Sequence, residues 1–189
     1  ANKPYRKRYG KYDQRGQIVD RVSIDERPKI VDDKSRIGDW EGDTIIGQGH
    51  KGALLTLVER KTLYTLMVPL KSKNAEQLKD AVIEVLKPFK ERVLTLTYDN
   101  GREFALHHEM AKALEADIYF AHPYASWERG INENTNGLIR QYFPKGSDLR
   151  EVTLEQAQKV MDLLNNRPRK TRGGKTPNEL FMGLKVDLL

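Results

Sequence analysis

The chain reads as an α/β protein in which helices flank one mixed sheet of five strands. Three observations carry that expectation. Three β-prone runs follow one another with brief polar breaks, as in an antiparallel meander. Strands and helices alternate after them, which implies a mixed sheet covered by helices. The run VLTLTYD is β-prone almost throughout, as expected of a central strand buried on both faces.

Residues 1–33 show no clean period and read as an extended basic arm, ahead of a core spanning 34–189. From Trp40 the pattern changes. GDTII (42–46), ALLTLVER (53–60) and LYTLMVPL (63–70) supply the three strands of the meander. Asn74, with Gln77 three residues on, has the form of a capping box. Leu78, Val82, Val85 and Phe89 then recur at helical spacing until Pro88 marks the stop. VLTLTYD (93–99) is the fourth strand, a helix is expected over 103–115, and DIYFA (117–121) is the fifth strand. The loop HPYASWERG leads into a third helix over 131–143, with Ile131, Leu138, Ile139, Tyr142 and Phe143 on one face. A fourth helix starts at Thr153, again with a capping-box glutamine at Gln156, and Pro168 ends it.

Bulk properties narrow the function. No run approaches the roughly 18 apolar residues of a membrane helix. The N-terminus lacks the apolar stretch of a secretory signal, so the cytoplasm is the expected location. The absence of cysteine excludes disulfides and Cys-containing zinc sites. The net charge of +6 is unevenly placed. Residues 1–29 hold nine Lys/Arg against four acids, and RPRKTRGGK (167–175) holds five with no acid, around a mildly acidic middle. Two basic ends suit a polyanion, whose condensed counterions are released as phosphates are contacted.

Three carboxylates could carry chemistry. Asp43 lies inside a strand pattern, where Asp is disfavoured and a buried carboxylate needs a partner or a metal. Asp39, Glu41 and Asp43 share one face of an extended segment, and spacing alone does not choose among them. Asp99 ends the most apolar strand, where open α/β sheets place their sites, although Asn100-Gly101 also suits a hairpin turn. Glu133 lies opposite the apolar stripe of its helix and alone would be an ordinary solvated glutamate. Gly137, one turn on, costs about 1 kcal/mol against Ala and is easier to explain if something approaches the backbone. Clustered carboxylates are what Mg²⁺ or Mn²⁺ needs, and two such ions about 4 Å apart stabilise both the attacking and the leaving oxygen of a phosphodiester. The G-x-G-x-x-G in GQGHKG is followed by strand and reads as a glycine-rich hairpin rather than a dinucleotide site. His107-His108-Glu109 does not face one point on a helix, so zinc is not expected there.

The segments GDWEGDTIIG, YDNGREFA, HPYASWERGINENTNGLIRQYFPKG and LNNRPRK...KTPNELF resemble the IS-thirty family of bacterial insertion-sequence transposases. The likeness runs from about Arg15 to Phe181, and the 33 residues between Asp99 and Glu133 match the DD(33)E spacing of that family. The resemblance implies an RNase H-like fold shared with retroviral integrases. It implies Asp43, Asp99 and Glu133 as the catalytic and metal-binding acids, in preference to Asp39, Glu41 or Glu128. It further implies Mg²⁺ or Mn²⁺, two ions, DNA as partner in the form of element ends and target, and a homo-oligomer that handles two ends together. Family members carry an N-terminal helix-turn-helix region, and this chain starts too late to contain it, so an excised core or a decayed copy is expected. Lys51, Arg102, Arg129 and Arg140 are candidate phosphate contacts. Trp127 either stacks on a base or, as the favoured reading, packs. An RNase H-type nuclease, a retroviral-type integrase and a non-catalytic DNA-binding remnant are the alternatives.

Overall fold

In a computed structural model of the chain, residues 18–123 and 125–183 are described. Most of the basic arm, residues 1–17, therefore lies outside the described residues. Strand β1 (Asp39–Ile46) begins three residues earlier than its β-prone core suggests, and β2 (Ala53–Glu59) and β3 (Thr65–Leu70) follow. β4 (Thr95–Tyr98) and β5 (Asp117–Phe120) complete a sheet of order β3-β2-β1-β4-β5. β1 pairs antiparallel with β2, and β2 with β3, while β1–β4 and β4–β5 are parallel. The five-stranded mixed sheet and its flanking helices match the expected fold class.

The helices are α1 (Lys29–Asp33), α2 (Ala75–Leu86), α3 (His107–Leu114), α4 (Gly130–Ile139), α5 (Leu154–Asn165) and α6 (Pro177–Met182). Asn74 caps α2 by accepting from the Gln77 N–H, and a 3-10 turn holding Pro88 replaces its expected last turn. The helix expected over 103–115 opens as a 3-10 turn (Arg102–Phe104) and becomes α-helical only at His107. The segment 131–143 is helical only to Ile139, and the side chains that α4 buries are Asn132, Thr135 and Ile139. Its packed face is thus mixed: Ile139 enters the core and Leu138 packs against it, while Asn132 and Thr135 are buried where the helix crosses β1 and β2.

Alternation along β1 divides the molecule into two layers. Trp40 points to an apolar side, where it meets Tyr64 and Phe181 of α6 edge-on; those two rings stack on each other and Phe89 packs edge-on against both. Gly42 faces the same way, against the buried ring of Tyr98. Asp39, Glu41 and Asp43 point to the other side, as the spacing predicts. α5 runs along the edge strand β3, where the Asn165 side chain both donates to and accepts from the Thr65 backbone and so blunts an open edge.

The part of the expected arm from Ile18 onward docks on the body. The Phe120 N–H donates to Val22 O at 2.9 Å, and Ser23 bridges to Phe120 in parallel fashion. Arg27 is buried, donates to Thr97 Oγ1 at 2.9 Å and pairs with Asp32. These long-range contacts hold a segment without a period of its own. The basic stretch 167–175 is also partly tied down, with Arg169 and Arg172 donating to the backbone carbonyls of Leu164 and Arg60. The GQGHKG segment turns β1 back into β2. Gly52 has φ +71°, and a Cβ there would lie 2.5 Å from Arg150 N, so this turn is packed from outside.

Candidate active site

The register of the two central parallel strands builds the site. Asp39 stands beside Thr95 and Glu41 beside Thr97, so continuing two residues sets Asp43 abreast of Asp99. Odd residues of both strands share one face. Asp99 lies just beyond β4, where the Gly101 N–H donates to its Oδ1 at 2.9 Å and Asn100 Nδ2 donates to Ala121 O at 2.6 Å. The dipeptide Asn100-Gly101 therefore makes a turn into the next helical segment and not a hairpin.

The three acids of β1 have different surroundings. Asp39 is buried and takes a two-pronged bond from Arg36, at 2.9 Å on each oxygen, together with Thr95 Oγ1 at 2.8 Å. Glu41 is 1% exposed, pairs with Arg60 and accepts from the Asn132 N–H in the first turn of α4 at 3.1 Å. Burial pushes the Glu41 carboxyl up, against the pull of Arg60 and that N–H. Both of these acids are committed to internal partners. Asp43 is partly open, with 21% of its side chain exposed. It accepts from Thr44 N at 2.8 Å and from Asn136 Nδ2 at 2.9 Å, while Thr56 Oγ1 donates to Asn136 Oδ1 at 3.1 Å. Burial raises the Asp43 pKa most, Arg129 opposes that, and the neighbouring Asp99 charge adds to it.

Arg129, at the end of the turn before α4, reaches into the pair. Its guanidinium lies 3.5 Å from Asp43 Oδ1 and 3.7 Å from Asp99 Oδ2, contacts of charge rather than hydrogen bonds. Glu133 is exposed on α4, one turn before Asn136 and therefore on the stripe that meets Asp43. The structure thus brings Asp43 and Asp99 together across Arg129, while Glu133 lies exposed on α4 with no contact to either. Among the described residues no three His, Asp or Glu side chains gather closely enough to hold a metal ion. Two carboxylates already drawn onto one cation, with hard oxygen donors only, nevertheless fit Mg²⁺ or Mn²⁺.

The remaining candidates are scattered. Lys51 and Arg102 are exposed. Arg140 is half-buried, and its guanidinium donates to Ile46 O at 2.9 Å and faces the carbonyls of Phe143 and Pro144, fastening the end of α4 to β1. Trp127 is 75% exposed and does not pack, contrary to the favoured expectation. Three features escape a reading of the sequence: Asn136 on Asp43, the Arg60–Glu41 pair, and buried Glu103, which pairs with Lys73 at 2.7 Å and accepts from Thr44 Oγ1 at 2.9 Å. The run of asparagines in INENTNG was a signal for the first of these, since a half-buried asparagine on a helix calls for a partner.

Known proteins resemble this chain in sequence and in fold. The model of the integrase core domain matches residues 33–126, which include Asp43 and Asp99. A transposase for insertion sequence element IS4351 from Bacteroides fragilis is 52% identical over 177 residues, covering 94% of this chain and 54% of the relative. Transposase InsI for insertion sequence element IS30A from Escherichia coli (strain K12) is 41% identical over 165 residues, covering 87% of this chain and 43% of the relative. The chain spans about half the length of the curated relatives it matches. Among solved structures, the catalytic core domain of BIV integrase covers 78% of this chain and 95% of its own, with a TM-score of 0.60 at 21% identity. A chain of a simian T-cell lymphotropic virus intasome, in complex with PP2A regulatory subunit B56 gamma, gives a TM-score of 0.64 at 17% identity, covering 80% of this chain and 56% of its own. At these identities the likeness is one of fold.

Proposed function

Because this chain belongs to the integrase core domain family and is a relative of the IS30-type insertion-sequence transposases, we propose that it is the catalytic core of a DDE transposase. The reaction is divalent-metal-dependent cleavage of DNA at an element end, followed by joining of the exposed 3′-hydroxyl to target DNA. The observation that supports this reading is Asp43 standing abreast of Asp99 on adjacent parallel strands; Glu133, on α4 one turn before the Asn136 that bonds Asp43, is proposed as the third acid.

In this reading Asp43, Asp99 and Glu133 hold the metal, with two ions as the expected complement. Divalent cations at this position supply charge neutralisation and activation of the attacking oxygen. The protein's own part is positioning. Asn136 and Thr44 fix the Asp43 carboxylate through both its oxygens, and the Gly101 N–H fixes Asp99. First a water oxygen attacks phosphorus at the element end and the bond to the 3′-oxygen breaks. That 3′-oxygen, now a hydroxyl, then attacks a target phosphorus at the same acids; the new phosphodiester forms as the target's own P–O3′ bond breaks, and the released target 3′-oxygen takes up the proton.

Lys51, Arg102 and Arg129 are proposed phosphate contacts, whereas Arg140 is engaged with backbone carbonyls; exposed Trp127, two residues before Arg129, is proposed to stack on an unpaired base. A basic arm over residues 1–33 and a catalytic core over 34–189 make up the chain in this account. The partners are element ends and target DNA, and a homo-oligomer brings two ends together. Among the described residues no helix is long and apolar enough to cross a membrane; the cytoplasm, at the nucleoid, is the proposed place of action. The test is joining of a pre-cut element end to supercoiled plasmid in Mg²⁺ or Mn²⁺, with Asp99→Ala beside the wild type. Metal-dependent joining that vanishes in the variant is the expected result. Joining that survives Asp99→Ala would remove Asp99 from the chemistry.

A further inference from the structure

The guanidinium of Arg129 occupies the space between the two carboxylates assigned to metal, and its bonding there is poor. Its side chain is 11% exposed, and its Nε and Nη1 are buried with no hydrogen-bond partner. Burying donors unpaired is costly, so attraction to two negative charges must hold the group in place. Other arginines of the protein bond differently. Arg36 grips Asp39 with two bonds of 2.9 Å, and Arg140 donates to a backbone carbonyl at 2.9 Å. Those are structural brackets, whereas Arg129 sits by charge alone at 3.5 and 3.7 Å.

The carboxylates explain why a cation is needed. Asp43 and Asp99 stand abreast on a partly desolvated face, where like charges at close range disfavour each other. A divalent ion bound to both at about 2.0–2.6 Å would repel a guanidinium in the same gap. We infer that Arg129 is the built-in counter-ion of the metal-free site, and that a divalent cation binding to Asp43 and Asp99 displaces it. The inference rests on the metal-binding reading of these two acids. The displaced guanidinium, its donors unpaired, is then available to an oxygen of the DNA phosphate backbone. The residue thereby keeps the acids together until metal binds and sets the metal affinity by competition.

The test uses the whole chain and two readouts that need no turnover. In the wild type, the Arg129 side-chain Nε–H resonance, identified by its absence in Arg129→Gln, is followed during Mg²⁺ titration. Mn²⁺ dissociation constants are measured for wild type, Arg129→Gln, Arg129→Ala and Asp99→Asn. The expected results are an Arg129 resonance that shifts in step with Mg²⁺ occupancy, and Mn²⁺ bound at least about tenfold tighter once Arg129 is removed, equivalent to about 1.4 kcal/mol. Binding that Asp99→Asn abolishes, with an unmoved Arg129 resonance or an unchanged affinity in the Arg129 variants, would overturn the counter-ion role and leave the metal site standing. Wild-type protein that shows no Asp99-dependent metal binding would overturn both. The wild-type resonance decides the question even if a variant fails to fold.

Discussion

Adding one methyl group at Gly42 should disrupt both the fold and the site. A Cβ there would lie 2.2 Å from Tyr98 Cε1, 2.7 Å from Tyr98 Cδ1 and 3.2 Å from Leu57 Cδ2. Carbon atoms pack at about 3.5–4.0 Å, so the Tyr98 ring or strand β1 must move by more than about 1 Å. Tyr98 is fully buried, and its ring is stacked on Phe104 at 4.1 Å, so the ring cannot retreat without pushing a second aromatic. Overpacking of this kind costs about 1–3 kcal/mol, and the clash with a trapped ring places Gly42→Ala toward the upper end. The displacement also spreads to function, because Gly42 precedes Asp43 and Tyr98 precedes Asp99. Urea unfolding of Gly42→Ala, Tyr98→Leu and the double variant is the assay. The double variant should be less destabilised than the sum of the singles, since leucine vacates the space the methyl needs. Mn²⁺ affinity should fall in Gly42→Ala and partly recover in the double. A Gly42→Ala protein within about 0.5 kcal/mol of wild type would refute this account of how the two acids are held in register.

Other consequences follow from the same contacts. Burial, reinforced by Asp99 and opposed by Arg129, holds the Asp43 pKa above its ordinary 3.8. The folded state then binds that proton more tightly than the unfolded chain, and its contribution to stability is lost as pH rises through the raised value. In EDTA, the urea midpoint of Asp43→Asn relative to wild type should therefore climb between about pH 4 and pH 7, and a flat difference would count against the shift. Glu41→Gln leaves Arg60 buried without its nearest charge partner and should cost about 3–5 kcal/mol, toward the lower figure because Asp32 stands 3.6 Å from Arg60. Chemical denaturation measures this loss, and an unchanged midpoint would deny Glu41 its structural role. Hydrogen bonds to Glu128 and then to Asp25 raise the His122 pKa above 6.5, so this bracket is complete below the ordinary value and released as pH rises through the raised one. Once the intrinsic base-catalysed rise is divided out, amide protection over residues 125–129 should fall across that range in wild type, and His122→Ala should show no such pH-dependent fall.

Much of this arrangement was legible in the chain, for identifiable reasons. The mixed sheet with its flanking helices follows from a meander succeeded by alternating strands and helical stripes, and the common face of Asp39, Glu41 and Asp43 follows from pleating alone. Which of the three faces the cleft was not legible from spacing, because the answer lies in Arg36, Arg60 and Asn136, up to 93 residues away in sequence. The face of α4 is legible only in part. Ile139 enters the core and Leu138 packs against it, as the apolar stripe predicts, but where the helix rests on Glu41, Asp43 and Thr56, Asn132 and Thr135 take the buried positions. Trp127 illustrates the opposite error, since its size argues for packing and the turn before α4 leaves it in the open. Helix α6 had a readable start in Thr176-Pro177 with Glu179, a capping box with proline at the first helical position, which a search for long stripes passes over.

The most direct test of the central claim is Mn²⁺-dependent phosphodiester cleavage of plasmid DNA by three isosteric variants, Asp43→Asn, Asp99→Asn and Glu133→Gln. Asp117→Asn, at an exposed position on β5, serves as the control. If the three acids form one metal-binding centre, each of their substitutions should lower the rate by on the order of a hundredfold or more, while the control cleaves as wild type does. Near-normal cleavage by any one of the three would contradict the account.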